Sequence, residues 1–305
     1  MKKIFVAFVA LFSALTLFAK GDLHIFDIAN KDGKVTPQTI EKAFAANGFT
    51  ISVNSEMNYP YKKQFNHTNF KTFNLLTVYH TKLAHQLVQK HAVVGVLTPM
   101  GVGIFQGLND DTLHVSILTA EAMGKILGIK EPMLEELEKE VLKAMKAAAP
   151  SAKHRLSEDS LGSAHNLVTK YEFALDGAEW EGAKEELEMR LENGFEPYGF
   201  VMPNYLDYQA EMSKTSDESA YDFFSTYSIC KLKVIYTVSK SRPEAAAFAP
   251  CSFMVYKKKD EDKIVLGFPG VYNWLSSARV EDKEAHDVLM QAQKDFESIL
   301  KEVTE

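Results

Sequence analysis

Ser228-Ile-Cys230-Lys-Leu-Lys-Val-Ile-Tyr236, leading into Ala249-Pro250-Cys251-Ser-Phe-Met-Val-Tyr256, is the stretch from which the architecture of this chain is read, and it holds both of its cysteines. A weaker counterpart runs from Thr77 to Phe105, 151 residues earlier. From Phe73/Phe224 to Met123/Trp274 the offset holds without gaps, with Val78/Ile229, Lys82/Lys233, Leu83/Val234, Pro99/Pro250, Phe105/Tyr256, Asp111/Asp262 and Leu113/Ile264 in step. Asn47-Gly48-Phe49 recurs as Asn193-Gly194-Phe195, and Asn58-Tyr59 as Asn204-Tyr205, at an offset of 146. Those anchors place five extra residues of the second copy between Tyr205 and Phe224, in the polar stretch Met212 to Glu218, where an insertion costs least. Identity between the copies is sparse. The shared order of strand, helix and turn signals carries the duplication.

That order is strand, helix, two strands, helix, two strands, helix. In the first copy, His24 to Ile28 and Phe49 to Val53 alternate as strands, and Thr36-Pro37 starts a helix that Asn47-Gly48 ends. A polar connection covers Asn54 to Asn69. Phe73 to Tyr79 reads as a strand, His80 to His91 as a helix, and Val93 to Phe105 as a strand whose entry is bent by Pro99, Gly101 and Gly103. Thr112 to Leu118 is a further strand, and 119–146 is helical in two pieces. Residues 147–169 lack a sustained apolar period and read as a linker. Strand and helix signals resume at Lys170 and Trp180. Because strands and helices do not alternate strictly, the fold class is α+β. Two tandem copies, 20–146 and 170–305, are expected to pack on each other about an approximate two-fold.

The whole chain has 305 residues, 46% hydrophobic and 25% charged, which suffices for a normal core. A formal charge of −7 argues against nucleic acid or an anionic membrane surface as the main partner. Lys2 and Lys3 precede an apolar run from Ile4 to Phe18 that closes on Ala19, the layout of a secretory signal peptide over 1–19. A periplasmic or secreted protein is expected, with no stable membrane anchor after cleavage.

Cys230-Lys-Leu-Lys-Val-Ile-Tyr236, Arg242-Pro-Glu-Ala-Ala-Ala-Phe-Ala-Pro-Cys251 and the strand Ser252 to Tyr256 together resemble the domain-of-unknown-function 302 family. Tyr79-His-Thr-Lys-Leu-Ala-His85 and Leu97-Thr-Pro-Met100 match less closely, since both family cysteines are replaced. The resemblance implies small TATA-box-binding-protein-like sheet-plus-helices domains that associate in pairs. It implies no reaction.

Candidate site residues follow from side-chain chemistry. Cys230 and Cys251 admit a disulfide, two buried structural thiols, or a reactive or metal-ligating pair. Met100, Cys251 and Met254 offer soft ligands for copper or haem, although methionine on an apolar strand usually fills a core. Tyr272 and Trp274 lie in the aromatic loop Gly267 to Trp274, a candidate ligand or partner surface. The histidines show no metal spacing: those of the His80–His91 helix read as exposed, and His114 as facing solvent. Asn30-Lys-Asp-Gly33 reads as a turn, because Ile28 cannot ligate calcium at loop position one. The charge run Lys257 to Lys263 reads as a solvated turn. No nucleophile elbow, phosphate loop or dinucleotide fingerprint is present. A non-catalytic module that binds a small molecule or protein is therefore expected, with a thiol-dependent redox, metal or haem protein as the alternative and the cofactor unknown.

Overall fold

Strand β1 (Leu23–Ala29) begins an antiparallel sheet that takes up the first half of the chain. The computed structural model describes residues 21–162, 167–214 and 219–305, and the leader expected over 1–19 lies outside them. After β1 come α1 (Pro37–Ala46), β2 (Phe49–Glu56), α2 (Asn58–Phe65), β3 (Phe70–His80) and α3 (Thr81–Lys90). A 3₁₀ segment Ala92–Leu97 leads into β4 (Met100–Gly107), β5 (Thr112–Leu118), α4 (Ala120–Leu127), α5 (Pro132–Ala148) and β6 (Lys153–Leu156). The second half holds β7 (Val168–Ala174), α6 (Trp180–Phe195), β8 (Val201–Asp207), α7 (Tyr208–Ser213), β9 (Tyr221–Cys230) and α8 (Leu232–Ser239). A 3₁₀ segment Pro243–Phe248 then leads into β10 (Cys251–Lys258), β11 (Lys263–Pro269), α9 (Tyr272–Ser277) and α10 (Lys283–Thr304). The fold is α+β, with one antiparallel sheet per half. Strand order is β2-β3-β4-β5-β1-β6 in the first and β8-β9-β10-β11-β7 in the second.

Local chemistry sets the helix ends. Thr36 caps α1 by accepting from Thr39 N–H, Pro37 occupies the first turn, and Gly48 takes φ +84 where the chain turns into β2. In α10, Asp282 caps the start, and Ala285, Leu289, Ala292, Phe296, Ile299, Leu300 and Val303 are buried at helical spacing. Each fully buried Leu, Ile or Phe on that stripe contributes roughly 1.5–3 kcal/mol.

The central strands bury both faces, and each for a different partner. Along β4, Met100, Val102 and Ile104 point one way and Gly101, Gly103 and Phe105 the other. On the Ile104 side, Asn74 of β3 donates to Asn54 of β2 (2.9 Å), and Asn54 donates to Glu41 of α1 (2.7 Å). On the glycine side lies the 3₁₀ segment of the other half: a Cβ on Gly103 would stand 2.6 Å from Ala246 Cβ, and one on Gly101 2.5 Å from the Ala247 carbonyl oxygen. The converse contact is made by Gly95 of the first 3₁₀ segment, where a Cβ would stand 2.6 Å from Phe224 Cζ and 3.0 Å from Met254 Cβ. Ser252 Oγ donates to the Pro99 carbonyl at 2.7 Å, which ties the two halves directly. Phe65 of α2 also stacks on Tyr236 of α8, ring centres 4.0 Å apart.

Strand registers relocate the insertion. Leu23, opposite Leu118, corresponds to Val168, opposite Pro269, an offset of 145. Glu56, opposite Asn74, corresponds to Asp207, opposite Ser225, an offset of 151. The second copy therefore gains six residues between these points, and α6 has 16 residues where α1 has 10. Asn193-Gly194 lies inside α6, and Asn58 starts α2 whereas Asn204 sits in β8, so the anchors at offset 146 are not equivalent positions. The equal spacing from Asp207 to Ser225 leaves no net insertion at Met212 to Glu218, where Met212 is a buried residue of α7 and 215–218 lie outside the described residues. Two further readings change. Asn54 to Asn69 includes helix α2, and residues 92–97 form a 3₁₀ turn rather than a strand entry. The stretch 147–169 contributes β6, which pairs with β1 from Lys153 to Leu156, and the first two residues of β7. Among the described residues no helix is long and apolar enough to cross a membrane.

Candidate functional site

Cys230 ends β9 and Cys251 begins β10; the register pairs Cys251 with Ile229, so Cys230 stands one residue beyond the cross-strand partner of Cys251, at the same end of the sheet. Both line a cavity of about 60 Å³ between the second sheet and helices α8 and α10. Ile229, Phe253 and Phe268 form its floor, Val234, Ile235, Leu289 and Phe296 its walls, and Trp274 of α9 one side. The Trp274 ring, 4% exposed, stacks at 5.9 Å on Phe248 of the preceding 3₁₀ segment.

Both thiols are free, on residues that are half-buried over their whole surface. Burial pushes Cys230 up to about 12, and the neighbouring Cys251 adds to the rise. Burial likewise pushes Cys251 up to about 12 against a hydrogen bond from the Trp274 side chain, and its thiol contacts the Phe248 carbonyl at 3.5 Å. A thiol raised this far is almost wholly protonated at neutral pH, so neither sulfur is a ready nucleophile.

The rim is polar and internally paired. Lys231 Nζ bonds Asp295 Oδ2 at 2.9 Å and lies 4.9 Å above the Phe200 ring. Gln291 donates to the other Asp295 oxygen at 2.6 Å, and Gln293 accepts from Val271 N–H at 3.0 Å. These bonds hold the charged groups at the cavity's edge and leave its interior to apolar side chains.

Of the residues singled out from sequence, the structure brings Cys230, Cys251 and Trp274 together. Tyr272 opens α9, half-buried and outside the cavity lining. Met100 is 4% exposed in the first sheet, where it pairs with Val78. Met254 points to the face opposite Cys251, against Gly95 and Gly267. The soft-ligand set Met100, Cys251 and Met254 is thus dispersed. Among the described residues no group of three or more His, Cys, Asp or Glu is arranged to hold a metal. A 60 Å³ cavity also does not admit a haem macrocycle.

Four histidine readings and one lysine reading are corrected: His80 and His91 are half-buried, His80 accepting from Leu83 N–H at 3.4 Å and His91 meeting Glu131 at 3.1 Å. His85 is 5% exposed and packs edge-on against Tyr208. His114 is sandwiched between Asp27 (2.7 Å) and Asp110 (2.9 Å) with Phe105 stacked on its ring. Lys257, placed on a solvated turn from sequence, is 8% exposed and paired with Asp222 at 2.5 Å. Cross-strand partners decide the His114 and Lys257 positions and Tyr208 of α7 decides that of His85, and the pattern of a single strand or helix does not name them.

Sequence reasoning missed a second concavity, a groove of about 1100 Å³ along β1, β6 and the α4–α5 junction. His24, Glu138 and His154 meet in it, contributed by β1, α5 and β6. Burial and the neighbouring His24 lower the His154 pKa. The only signal available was the pair of histidines themselves, because β6 has no apolar alternation by which to place His154.

The model of the family described as Domain of unknown function DUF302 matches residues 29–152 and again 180–303, so the chain belongs to that family and carries two tandem copies of its domain. Among solved structures, the chain is similar to the uncharacterized conserved protein DUF302 from Bacillus stearothermophilus, at 14% identity and a TM-score of 0.35 over 41% of this chain and 97% of that one. No curated protein matches.

Proposed function

We propose that this protein is an exported, non-catalytic binding module whose second domain takes the apolar end of a small ligand into the cavity beside Cys230, Cys251 and Trp274. The observation that carries this reading is the cavity itself: apolar walls and floor, two un-ionised thiols and a polar rim already satisfied by its own partners. Its volume equals that of about four to six water-sized probes. One branched or cyclic apolar group fits inside while the rest of a ligand lies across Lys231. At the matching positions of the first domain, Tyr79 and Met100 put larger side chains where the cysteines stand and Met123 a smaller one in place of Trp274, all at most 4% exposed.

Fluorescence tests the assignment, since Trp180 and Trp274 are the only tryptophans. In a Trp180→Phe background, small alkanols and substituted benzenes should change Trp274 emission saturably. An Ala292→Leu substitution, which projects a larger side chain into the cavity, should abolish the response. An unchanged emission across the panel, or binding untouched by Ala292→Leu, refutes the cavity as the site.

The shared strand order and the reciprocal 3₁₀ contacts support an approximate two-fold between TATA-box-binding-protein-like domains. Lys2, Lys3 and the apolar run to Phe18 support export, which N-terminal sequencing of the protein from fractionated cells would check. One observation favours a second reading. The two thiols are close enough for Cys251 to raise Cys230, so an oxidising compartment could couple them as a redox pair. Mass spectrometry of alkylated protein before and after reduction separates the readings, because only the redox pair gains two alkyl groups on reduction.

A further inference from the structure

His24 is almost wholly buried, its side chain 6% exposed, yet both ring nitrogens have partners: Nε2 meets Glu138 Oε1 and Nδ1 meets His154 Nε2, each at 2.9 Å. Glu138 Oε1 also accepts from Ala120 N–H at 2.8 Å, at the start of α4, which fixes the carboxylate in place. A carboxylate accepts only, so His24 donates its Nε2 proton to Glu138 and keeps a lone pair on Nδ1. A carboxylate that orients a histidine in this way is the usual outer support of a metal-ligating imidazole. The second ring is equally fixed. His154 lies cross-strand from Phe26 and stacks on it, ring centres 4.6 Å apart and planes 15° from parallel.

We propose that His24 Nδ1 and His154 Nε2 are neighbouring ligands of one divalent transition-metal ion, of the square-planar or tetragonal, nitrogen-preferring kind represented by Cu(II). The 2.9 Å spacing is that of the hydrogen bond the two rings share. Bonds of about 2.0 Å at right angles put two nitrogens ~2.8 Å apart, so an ion of this kind takes the pair with little change in separation, whereas a tetrahedral site asks for ~3.3 Å. Binding requires the His154 proton to move from Nε2 to Nδ1, which leaves both rings neutral and releases no net proton. The other positions of the ion face the 1100 Å³ groove, where water has room and the Glu121 and Glu135 side chains line the wall. This site is separate from the cysteine cavity and uses only residues of the first half and the connecting strand β6.

Isothermal titration of the full chain with Cu(II) supplied as its glycine complex, together with electron paramagnetic resonance, tests the proposal. The wild type should bind one equivalent and show hyperfine coupling to two imidazole nitrogens. His154→Gln, on a surface strand, should lose one nitrogen coupling and at least tenfold in affinity. Glu138→Gln should weaken binding about ten- to a hundredfold while both couplings remain, the mark of a supporting group. His286→Gln, at an exposed position on α10, should change neither. No stoichiometric binding, a spectrum without two nitrogens, or an affinity unaltered in His154→Gln overturns the proposal and leaves the pair as a hydrogen-bonded relay between β1 and β6.

Discussion

Replacing Gly103 by alanine tests whether the crossed 3₁₀ segments hold the two domains together. The added methyl would stand 2.6 Å from Ala246 Cβ, 2.6 Å from Ser116 Oγ and 3.0 Å from the Ala246 carbonyl carbon. Ordinary contact begins at 3.4 Å, so something must yield by about 0.8 Å. Ser116 can rotate its hydroxyl away. Ala246 cannot, because its segment is also seated on Gly101, where the Ala247 carbonyl leaves no room for a Cβ. The whole segment must therefore lift, at a cost of about 1–3 kcal/mol, typical of an overpacked interior. Ala246→Gly alone should cost about 0.5–1 kcal/mol, from a lost methyl and a looser backbone. The double variant moves one methyl across the interface and should recover at least ~1 kcal/mol of the summed single effects. Urea denaturation of the four proteins, followed by tryptophan emission, measures that coupling. Additivity within ~0.3–0.5 kcal/mol would show that the two positions do not meet, and the packing argument would fail.

Other expectations follow from single sites. Iodoacetamide at pH 7 should label Cys230 and Cys251 far more slowly in the fold than in urea, since burial holds both thiols near 12; equal rates would refute their buried state. Trp274→Ala should destabilise the chain by about 3–5 kcal/mol, read as a lower urea midpoint, because a ring 4% exposed leaves a large hole. Burial raises the Asp27 and Asp110 carboxyls, but hydrogen bonds from His114, with Arg155 on Asp27 and Thr112 on Asp110, outweigh it and hold both below the ordinary carboxylate range. Their contribution is complete above the unfolded value near 4 and disappears as pH falls through the depressed folded values, so His114→Asn should flatten the loss of thermal stability between pH 5 and pH 3. Asp295→Asn should lower stability and shift Lys231 off the cavity rim, visible as altered Trp274 emission in the Trp180→Phe background.

The elements most legible in the sequence were those whose signal is local. Strand β5 was read at its observed bounds, and α1 was placed by Thr36, Pro37 and Gly48, because caps and alternation act over a few residues. Helix α2 was hidden because Asn58 to Phe65 is polar and buries only Tyr61, so no stripe announces it. The length difference between copies was read in the wrong place for a related reason. Asn-Gly signals a helix end beside Phe49 but is tolerated inside α6, where Leu187, Leu191 and Phe195 supply enough buried surface to carry the helix through it. Of the site, the cysteines and Trp274 were visible as unusual residue types. What Lys231, Asp295 and Phe200 do there was not, since their meeting depends on α10 crossing the second sheet. The same limit hid His24 and His154, 130 residues apart and joined only by strand pairing.

The crossed 3₁₀ segments have a consequence for how the chain can change. At an offset of 151, Gly95 corresponds to Ala246 and Gly103 to Met254, so one kind of contact is made twice: once as Gly95 against Met254, once as Ala246 against Gly103. In a pair of identical separate copies, every substitution enters both contacts together, and a methionine that fits one must fit the other. Joining the copies end to end removes that condition. Each contact can settle its own division of volume between large and small, and one half can line a cavity with Cys230 and Cys251 where the other carries Tyr79 and Met100.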